Sequence, residues 1–84
     1  MELYQMMMII NELKEHNIQH LNKRDVKYYF DNADENTAEC LEYLGCKVER
    51  VADLLNVTLP KKKFTKKAIK QELQNYRNLI MYMV

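Results

Sequence analysis

Apolar residues recur along the first segment of the chain at the spacing of a helix. The positions share one face of a helix of about 14 residues, because they return every three or four residues. Neighbouring apolar residues widen this face, so we expect the helix to lie centrally in the fold or to be shared with a partner. The residues of the face are Leu3, Met6, Met7, Ile10 and Leu13.

A second, shorter element follows a polar connector. Val26, Tyr29 and Phe30 are spaced to face inward from a short helix. Asn22 or Asp25 can supply the N-cap of this helix. The same segment is rich in β-branched and aromatic residues, so a strand is the alternative there.

A third element is indicated by signals at both of its ends. Asn36 and Glu39 have the spacing of a capping pair. They predict a helix over Thr37–Leu44. Gly45 is the only glycine of the chain, and it stands where a helix commonly ends in a left-handed residue.

Two more helices are predicted in the second half of the chain. The first covers Lys47–Leu55, and a loop over Val57–Lys63 follows, because Pro60 disfavours helical geometry in the residue before it. Thr65 can cap the last helix. The apolar stripe of that long helix is Ala68, Ile69, Leu73, Tyr76, Ile80 and Met83, widened by Leu79, Tyr82 and Val84.

These elements predict an all-α fold, a single helical domain over residues 1–84 with about five helices and a long C-terminal helix. The 84 residues are 48% apolar and 30% charged, which is typical of a globular domain. One glycine and one proline argue against a turn-rich β-sandwich. A chain of this length buries a limited fraction of its surface, so a homodimer is a natural expectation.

Charge divides the chain into two opposed parts. Residues 1–60 carry six Lys or Arg and eleven Asp or Glu, a net of −5, whereas residues 61–84 carry seven cations and one acid, a net of +6. The acidic excess is concentrated in residues 31–53, with seven acids against two cations. Such asymmetry indicates a partner of one charge sign.

The segment TAECLEYLGCKVERVADLL, residues 37–55, resembles the helix-turn-helix of small bacterial and phage regulators. Apolar residues surround Gly45, where the pattern has its turn, and others stand where it anchors the second helix. A second register of the pattern places the first helix and turn at residues 51–58. The resemblance over residues 37–58 implies a small DNA-binding regulatory protein.

The basic segment supplies the candidate nucleic-acid contacts. Lysines in a loop and at a helix start can contact successive phosphates, although a solvated lysine face is the plainer alternative. Phe64 can stack on a base or pack the helix start against the core. The predicted contacts are Lys61, Lys62, Lys63, Lys66, Lys67 and Lys70, with Arg77 as an auxiliary.

A protein-interaction module that modulates or inhibits a partner protein is the competing hypothesis. This hypothesis is based on the acidic segment 31–53 and on the methionine-rich ends of the chain, because thioether side chains repack easily on a partner. Packing between the first and last helices is the alternative use of those ends. The predicted partner or dimer interface is Tyr4, Met7, Met8, Met81 and Tyr82.

Several other functions are not expected. The sequence has no Gly-rich phosphate loop, nucleophile elbow or paired-carboxylate spacing, so we expect neither an enzyme nor a cofactor. No basic signal start and no long apolar run is visible, so we expect a cytoplasmic protein without membrane contact. The many Asn, Lys, Ile, Tyr, Met and Phe residues are expected of an A+T-rich coding sequence, whether that of a low-GC bacterium, its phages and plasmids, or a large DNA virus. No metal site is expected from His16, His20, Cys40 and Cys46, whose spacing matches no zinc finger.

Overall fold

The structure, a computed structural model, describes residues 1–83, which form four α-helices and a three-stranded antiparallel sheet. The predicted all-α bundle of five helices is therefore wrong, and the fold combines helices and strands. Predictions for Val84 and for the side chain of Met83 lie outside the described residues. The elements are α1 (Leu3–Glu15), β1 (His20–Asn22), α2 (Lys23–Phe30), α3 (Glu35–Tyr43), β2 (Lys47–Val51), β3 (Leu54–Thr58) and α4 (Lys66–Met83).

Helix α1 forms where its apolar stripe predicts it. The stripe is buried, apart from the half-exposed Leu3 at its start. The helix ends because Asn17 adopts the left-handed conformation with φ 61°. The Ile18 amide then donates to the Leu13 carbonyl at 3.0 Å, which turns the chain back toward the sheet.

Helices α2 and α3 each begin at a side-chain cap. The Asn22 side chain accepts from the Asp25 amide at 2.9 Å, and the Asp25 carboxylate accepts from the Asn22 amide at 3.1 Å. This reciprocal pair explains why Val26–Phe30 lies in a helix instead of a strand. Helix α3 starts two residues earlier than predicted, because Asp34 and not Asn36 is its N-cap. Four residues, 31–34, separate the two helices.

The predicted helix Lys47–Leu55 is wrong, because this segment forms a β-hairpin. Strand β3 lies at the centre of the sheet, with β1 on one side and β2 on the other. Its register pairs Val57 with Leu21 of β1 and Val48 of β2. Leu55 and Val57 are buried while the residues between and beside them face outward, the period of two that a half-buried strand requires.

Helix α4 packs antiparallel on α1. The Asn11 side chain exchanges two hydrogen bonds with the Phe64 backbone just before α4, at 2.8 and 2.9 Å. At the other end of the pair, the rings of Tyr4 and Tyr76 lie 5.8 Å apart. The Thr65 hydroxyl accepts from the Ala68 amide at 3.0 Å, which confirms the predicted cap. The inward stripe of α4 is half-buried from Ala68 to Tyr76, whereas Ile80 is exposed.

The core lies between α1, α2, α3 and the inner side of the sheet. No polar or charged side chain is buried among the residues that the structure describes. None of the helices within residues 1–83 is both long and apolar enough to cross a membrane. The core residues are Met6, Met7, Ile10, Leu13, Leu21, Val26, Phe30, Ala38, Leu41, Leu44, Cys46, Leu55, Val57 and Leu59.

Candidate nucleic-acid interface

The outward face of α4, which we call the basic face, gathers the cations of this helix on one side. At about 100° per residue, its four cations fall within an arc of about 100° and extend along about 16 Å of the helix. All four are exposed. They are Lys66, Lys67, Lys70 and Arg77.

Amide side chains occupy the remaining positions of the basic face. Gln71 and Gln74 line one shallow depression together with the three lysines of α4. Each amide is held by a neighbour one turn along: Gln71 donates to Asn75 at 3.1 Å, and Gln74 donates to Asn78 at 3.0 Å. Lys and Arg side chains pair with phosphates, and amides can pair with phosphates, sugars or base edges.

The basic face carries no carboxylate in the described part of the helix. The one acid of α4, Glu72, is half-buried on the opposite side, in a groove that it shares with Leu3 of α1 and with Glu2, the N-cap of that helix. Lysines in the first helical turn oppose the helix dipole, at a cost of about 0.3–1 kcal/mol each. A bound anion would offset that cost.

The loop before α4 brings further lysines to the start of this helix. Lys63 forms an ion pair with Glu15 of α1, so its charge is already matched. Lys61 and Lys62 are exposed, and no acidic side chain within residues 1–83 lies within 4.0 Å of either. Phe64 is half-buried against the core, so its ring secures the start of α4.

The acidic segment forms a separate surface on α3 and the hairpin. Arg50 of β2 donates to Glu42 at 2.6 Å and to Glu35 at 3.0 Å, so its charge is engaged by α3. The hydrogen bonds that Arg50 donates to Glu42 and, to a smaller extent, to Glu35 raise the pKa of Arg50, and the bond from Arg50 lowers the pKa of Glu42. Helix α3 itself has three acids and no cation. This surface repels a polyanion.

The predicted helix-turn-helix does not form in either of its registers. The first helix of the 37–55 register exists as α3, but the second is replaced by the hairpin, which also contains residues 51–58. A different pair, α2 and α3 joined by residues 31–34, has the short connection of such a motif. The sequence predicted both helices but not that they form a pair joined by a short connection. The side-chain caps at Asn22 and Asp34, which mark where each helix begins, are the sequence signal for this pair.

The predicted partner interface is divided by the structure. Met7 is 3% exposed and belongs to the core, so its assignment to an interface is corrected: it faces the buried side of α1. Tyr4 is half-buried against Tyr76. Met8, Met81 and Tyr82 are exposed.

The cysteines and histidines do not converge on one point. Burial raises the pKa of the Cys46 thiol to about 11, which keeps it protonated and unreactive. His20 lies in β1, where its ring Nδ1 is 3.3 Å from the Thr58 hydroxyl. No group of three or more potential metal-ligating side chains occurs in the part of the chain that the structure describes.

A depression between α1 and α2 was not anticipated from the sequence. Ile9, Glu12 and Leu13 of α1 form part of its lining, with His16 and Ile18 from the residues that follow this helix. Tyr28 and Tyr29 complete it, with their rings edge to face at 4.9 Å. No protein-family model, curated protein or solved structure matches this chain.

Proposed function

We propose that the protein binds nucleic acid through the basic face of α4 and the exposed lysines of the preceding loop, in a regulatory role. The observation that carries the proposal is the composition of the basic face. Four cations share one side of α4 with amide side chains, and the acid of this helix lies on the other side. A surface of one charge sign at this density favours a polyanion.

The binding would consist mainly of phosphate contacts. The basic face runs for about 16 Å along a helix, long enough for several phosphates of one strand to lie beside it. About four neutralised phosphates give a slope near −4 for the logarithm of affinity against the logarithm of salt concentration. Such contacts position a nucleic acid without reading its sequence, so weak sequence preference is expected.

The helix pair α2–α3 also favours nucleic-acid binding, but its own surface does not suit the contact with phosphates. Two short helices followed by a β-hairpin resemble a winged helix-turn-helix in element order. In such motifs the second helix reads the major groove. Here that helix is α3, whose Glu35, Glu39 and Glu42 would face phosphates. We therefore assign α2 and α3 to the scaffold and the contacts to α4.

Fluorescence anisotropy with labelled duplex and single-stranded DNA tests the proposal. The variant Lys66→Ala/Lys67→Ala/Lys70→Ala removes three charges from the basic face. A matched control, Lys23→Ala/Arg24→Ala/Lys27→Ala, removes three exposed cations from α2. Between about 50 and 200 mM salt we expect the wild-type affinity to fall about 100-fold.

The two triple variants should then differ. The α4 variant is expected to bind at least tenfold more weakly, with a salt slope reduced by about 2 to 3. The α2 variant should bind nearly as well as wild type. Equal losses in both variants would show that net charge alone matters, and a loss confined to the α2 variant would contradict the assignment to α4.

The second candidate function is the modulation or inhibition of a partner protein. The observation that favours it is the acidic surface of α3 and β2, where two carboxylates already hold an arginine. A basic partner surface would fit there. Recovery of one stoichiometric protein from nuclease-treated lysate, lost in a Glu39→Lys variant, would support this function; loss of every partner on nuclease treatment favours the first.

The remaining predictions about context stay proposals. The two cysteines are free thiols, which is typical of a reducing compartment and supports the cytoplasm as the site of action. A phage or mobile-element origin remains a hypothesis from composition. Neither is needed for the proposed contact with nucleic acid.

A further inference from the structure

The middle of the basic face is occupied by an amide side chain. Including its amides, this face spans about 140° around the helix, from Lys66 to Gln71, and Gln74 lies close to its middle. Lys70 lies about 40° from Gln74 on one side, and Lys67 lies about 20° from it on the other. Gln74 therefore has cations on both of its flanks.

The Gln74 amide is held by its neighbour and keeps hydrogen-bonding capacity. Its Nε2 donates to Asn78 Oδ1 at 3.0 Å, which uses one of its two N–H groups. The second N–H group and the Oε1 oxygen have no hydrogen-bond partner among residues 1–83. An amide donor and acceptor side by side match N7 and the N6 amino group of adenine, which lie in the major groove of DNA.

The basic face is the convex side of an exposed helix. Helix α4 packs on α1 through Tyr76, which lies about 160° around the helix from Gln74. A helix with its side chains is about 10–12 Å across, and the major groove of B-form DNA is about 12 Å wide. Because α1 lies behind α4, it would stay outside a groove that α4 enters.

We propose that α4 lies in the major groove of duplex DNA, with Gln74 on the floor of the groove and the lysines directed to the phosphates on either side. This inference rests on the proposed nucleic-acid binding and names its substrate, B-form duplex DNA. One amide on the groove floor can favour an A·T pair at a single position, so the sequence preference stays weak.

The side chains of α4 favour duplex DNA over other nucleic acids. Proteins that bind single strands stack the bases on aromatic side chains. Of the two tyrosines of α4, Tyr76 packs on Tyr4 and Tyr82 lies outside the arc of the basic face. The major groove of duplex RNA is too deep and narrow to be read by side chains. A convex face with cations beside an amide thus fits the major groove of B-form DNA best.

Blocking each groove in turn tests the proposal by fluorescence anisotropy. A duplex with glucosylated 5-hydroxymethylcytosine has the same phosphates but a filled major groove, and it should bind about tenfold more weakly than the unmodified duplex. Netropsin occupies the minor groove, and it should change the affinity for the unmodified duplex by less than about twofold. Single-stranded DNA and duplex RNA of the same length should bind about tenfold more weakly than duplex DNA.

A matched pair of isosteric substitutions tests the position of Gln74. Gln74→Glu and Asn75→Asp each replace an exposed amide of α4 by a carboxylate, but Asn75 lies outside the arc of the basic face. Gln74→Glu should weaken duplex binding about tenfold and Asn75→Asp by less than about threefold, because only the first carboxylate would face the groove.

Several outcomes would overturn the proposal. Equal binding of the glucosylated and unmodified duplexes, or displacement of the protein by netropsin, would exclude the major groove and leave nucleic-acid binding in place. Single-stranded DNA or duplex RNA that binds as tightly as duplex DNA would do the same. Equal losses in the two variants would contradict the position of Gln74. A protein that binds no nucleic acid would instead contradict the proposed function itself, so the two failures are distinguishable.

Discussion

The guanidinium of Arg50 lies 2.6 Å from the carboxylate of Glu42. The same guanidinium reaches Glu35 at 2.8 Å through Nη2 and at 3.0 Å through Nε. One side chain of the hairpin thus bridges both ends of α3. This contact fixes the sheet against α3, and it engages one of the two cations of the hairpin, which is then not free to bind a phosphate.

The Arg50 contact predicts a pH dependence of stability. The bond from Arg50 lowers the pKa of Glu42 from its usual 4.5, so the folded state favours the ionised carboxylate. The resulting stabilisation is present above pH 4.5 and is lost as the pH falls through the lower, folded pKa. We expect Arg50→Gln to be less stable than wild type at pH 7, with a difference that shrinks toward pH 3.

Urea denaturation of both proteins at pH 7, 5 and 3 measures this difference. Lys47→Gln is the control, because the Lys47–Glu49 pair spans 3.7 Å between side chains that are 75% and 53% exposed. Exposed pairs of this kind contribute little, so the control should match wild type. An Arg50→Gln deficit that is the same at all three values of pH would contradict the prediction.

The turn of the hairpin predicts a stabilising substitution. Ala52 has φ 53°, a left-handed conformation that is unfavourable for a residue with a Cβ atom. Ala52→Gly removes this strain but gives the unfolded chain more freedom, so we expect a net gain of up to about 1 kcal/mol. Thermal denaturation should show a transition raised by a few degrees.

Ala33→Gly is the matched substitution for that test. Ala33 is half-buried next to the core and its φ is not positive, so glycine should lower stability there. A loss of stability in both variants would show that the hairpin turn stores no strain at Ala52.

The anchor between α1 and the loop over residues 59–65, which we call the lysine loop, predicts a coupled effect on stability and binding. Asn11 satisfies both the amide and the carbonyl of Phe64. Asn11→Ala leaves two partly buried backbone groups without this partner, at a cost of about 1–3 kcal/mol. The loop that carries Lys61 and Lys62 also becomes less ordered, so DNA affinity should fall by a few fold at a temperature where the variant is folded.

Chemical denaturation and anisotropy together measure the Asn11→Ala effects. Asn36→Ala is the control for loss of an amide at an exposed position of α3, away from the basic face, and its stability should change by less than about 0.5 kcal/mol. Unchanged stability of Asn11→Ala would mean that the loop is not anchored through this side chain.

The helices were predictable from sequence because their signals are local. The stripe of α1, the cap at Asn22, the terminator Gly45 and the cap at Thr65 each depend on neighbouring residues alone. Strand β3 was not found, because a short apolar run fits a strand and a buried helix equally well. Its hairpin turn also lacks the glycine or asparagine that normally marks one. The pairing of β3 with β1, which lies more than thirty residues away in the chain, decides that this segment is a strand.

The candidate site was predictable in charge but not in shape. The lysine run is visible in the sequence, and helical periodicity places the acid of α4, Glu72, on the side of the helix opposite the lysines. Sequence alone did not show that Lys63 is matched by Glu15, and it left Met7, a residue of the α1 stripe, open to either the core or an interface. Both outcomes depend on how α1 is packed, which the stripe of α1 does not specify.

Mapping the DNA-contact surface by NMR tests the central claim most directly. In a titration of ¹⁵N-labelled protein with a short duplex, the account predicts the largest backbone shift changes at Lys66–Asn78 and in the lysine loop. Shifts across α3 and the hairpin should stay small. The largest changes at Glu35–Tyr43, with the basic face unaffected, would contradict the account.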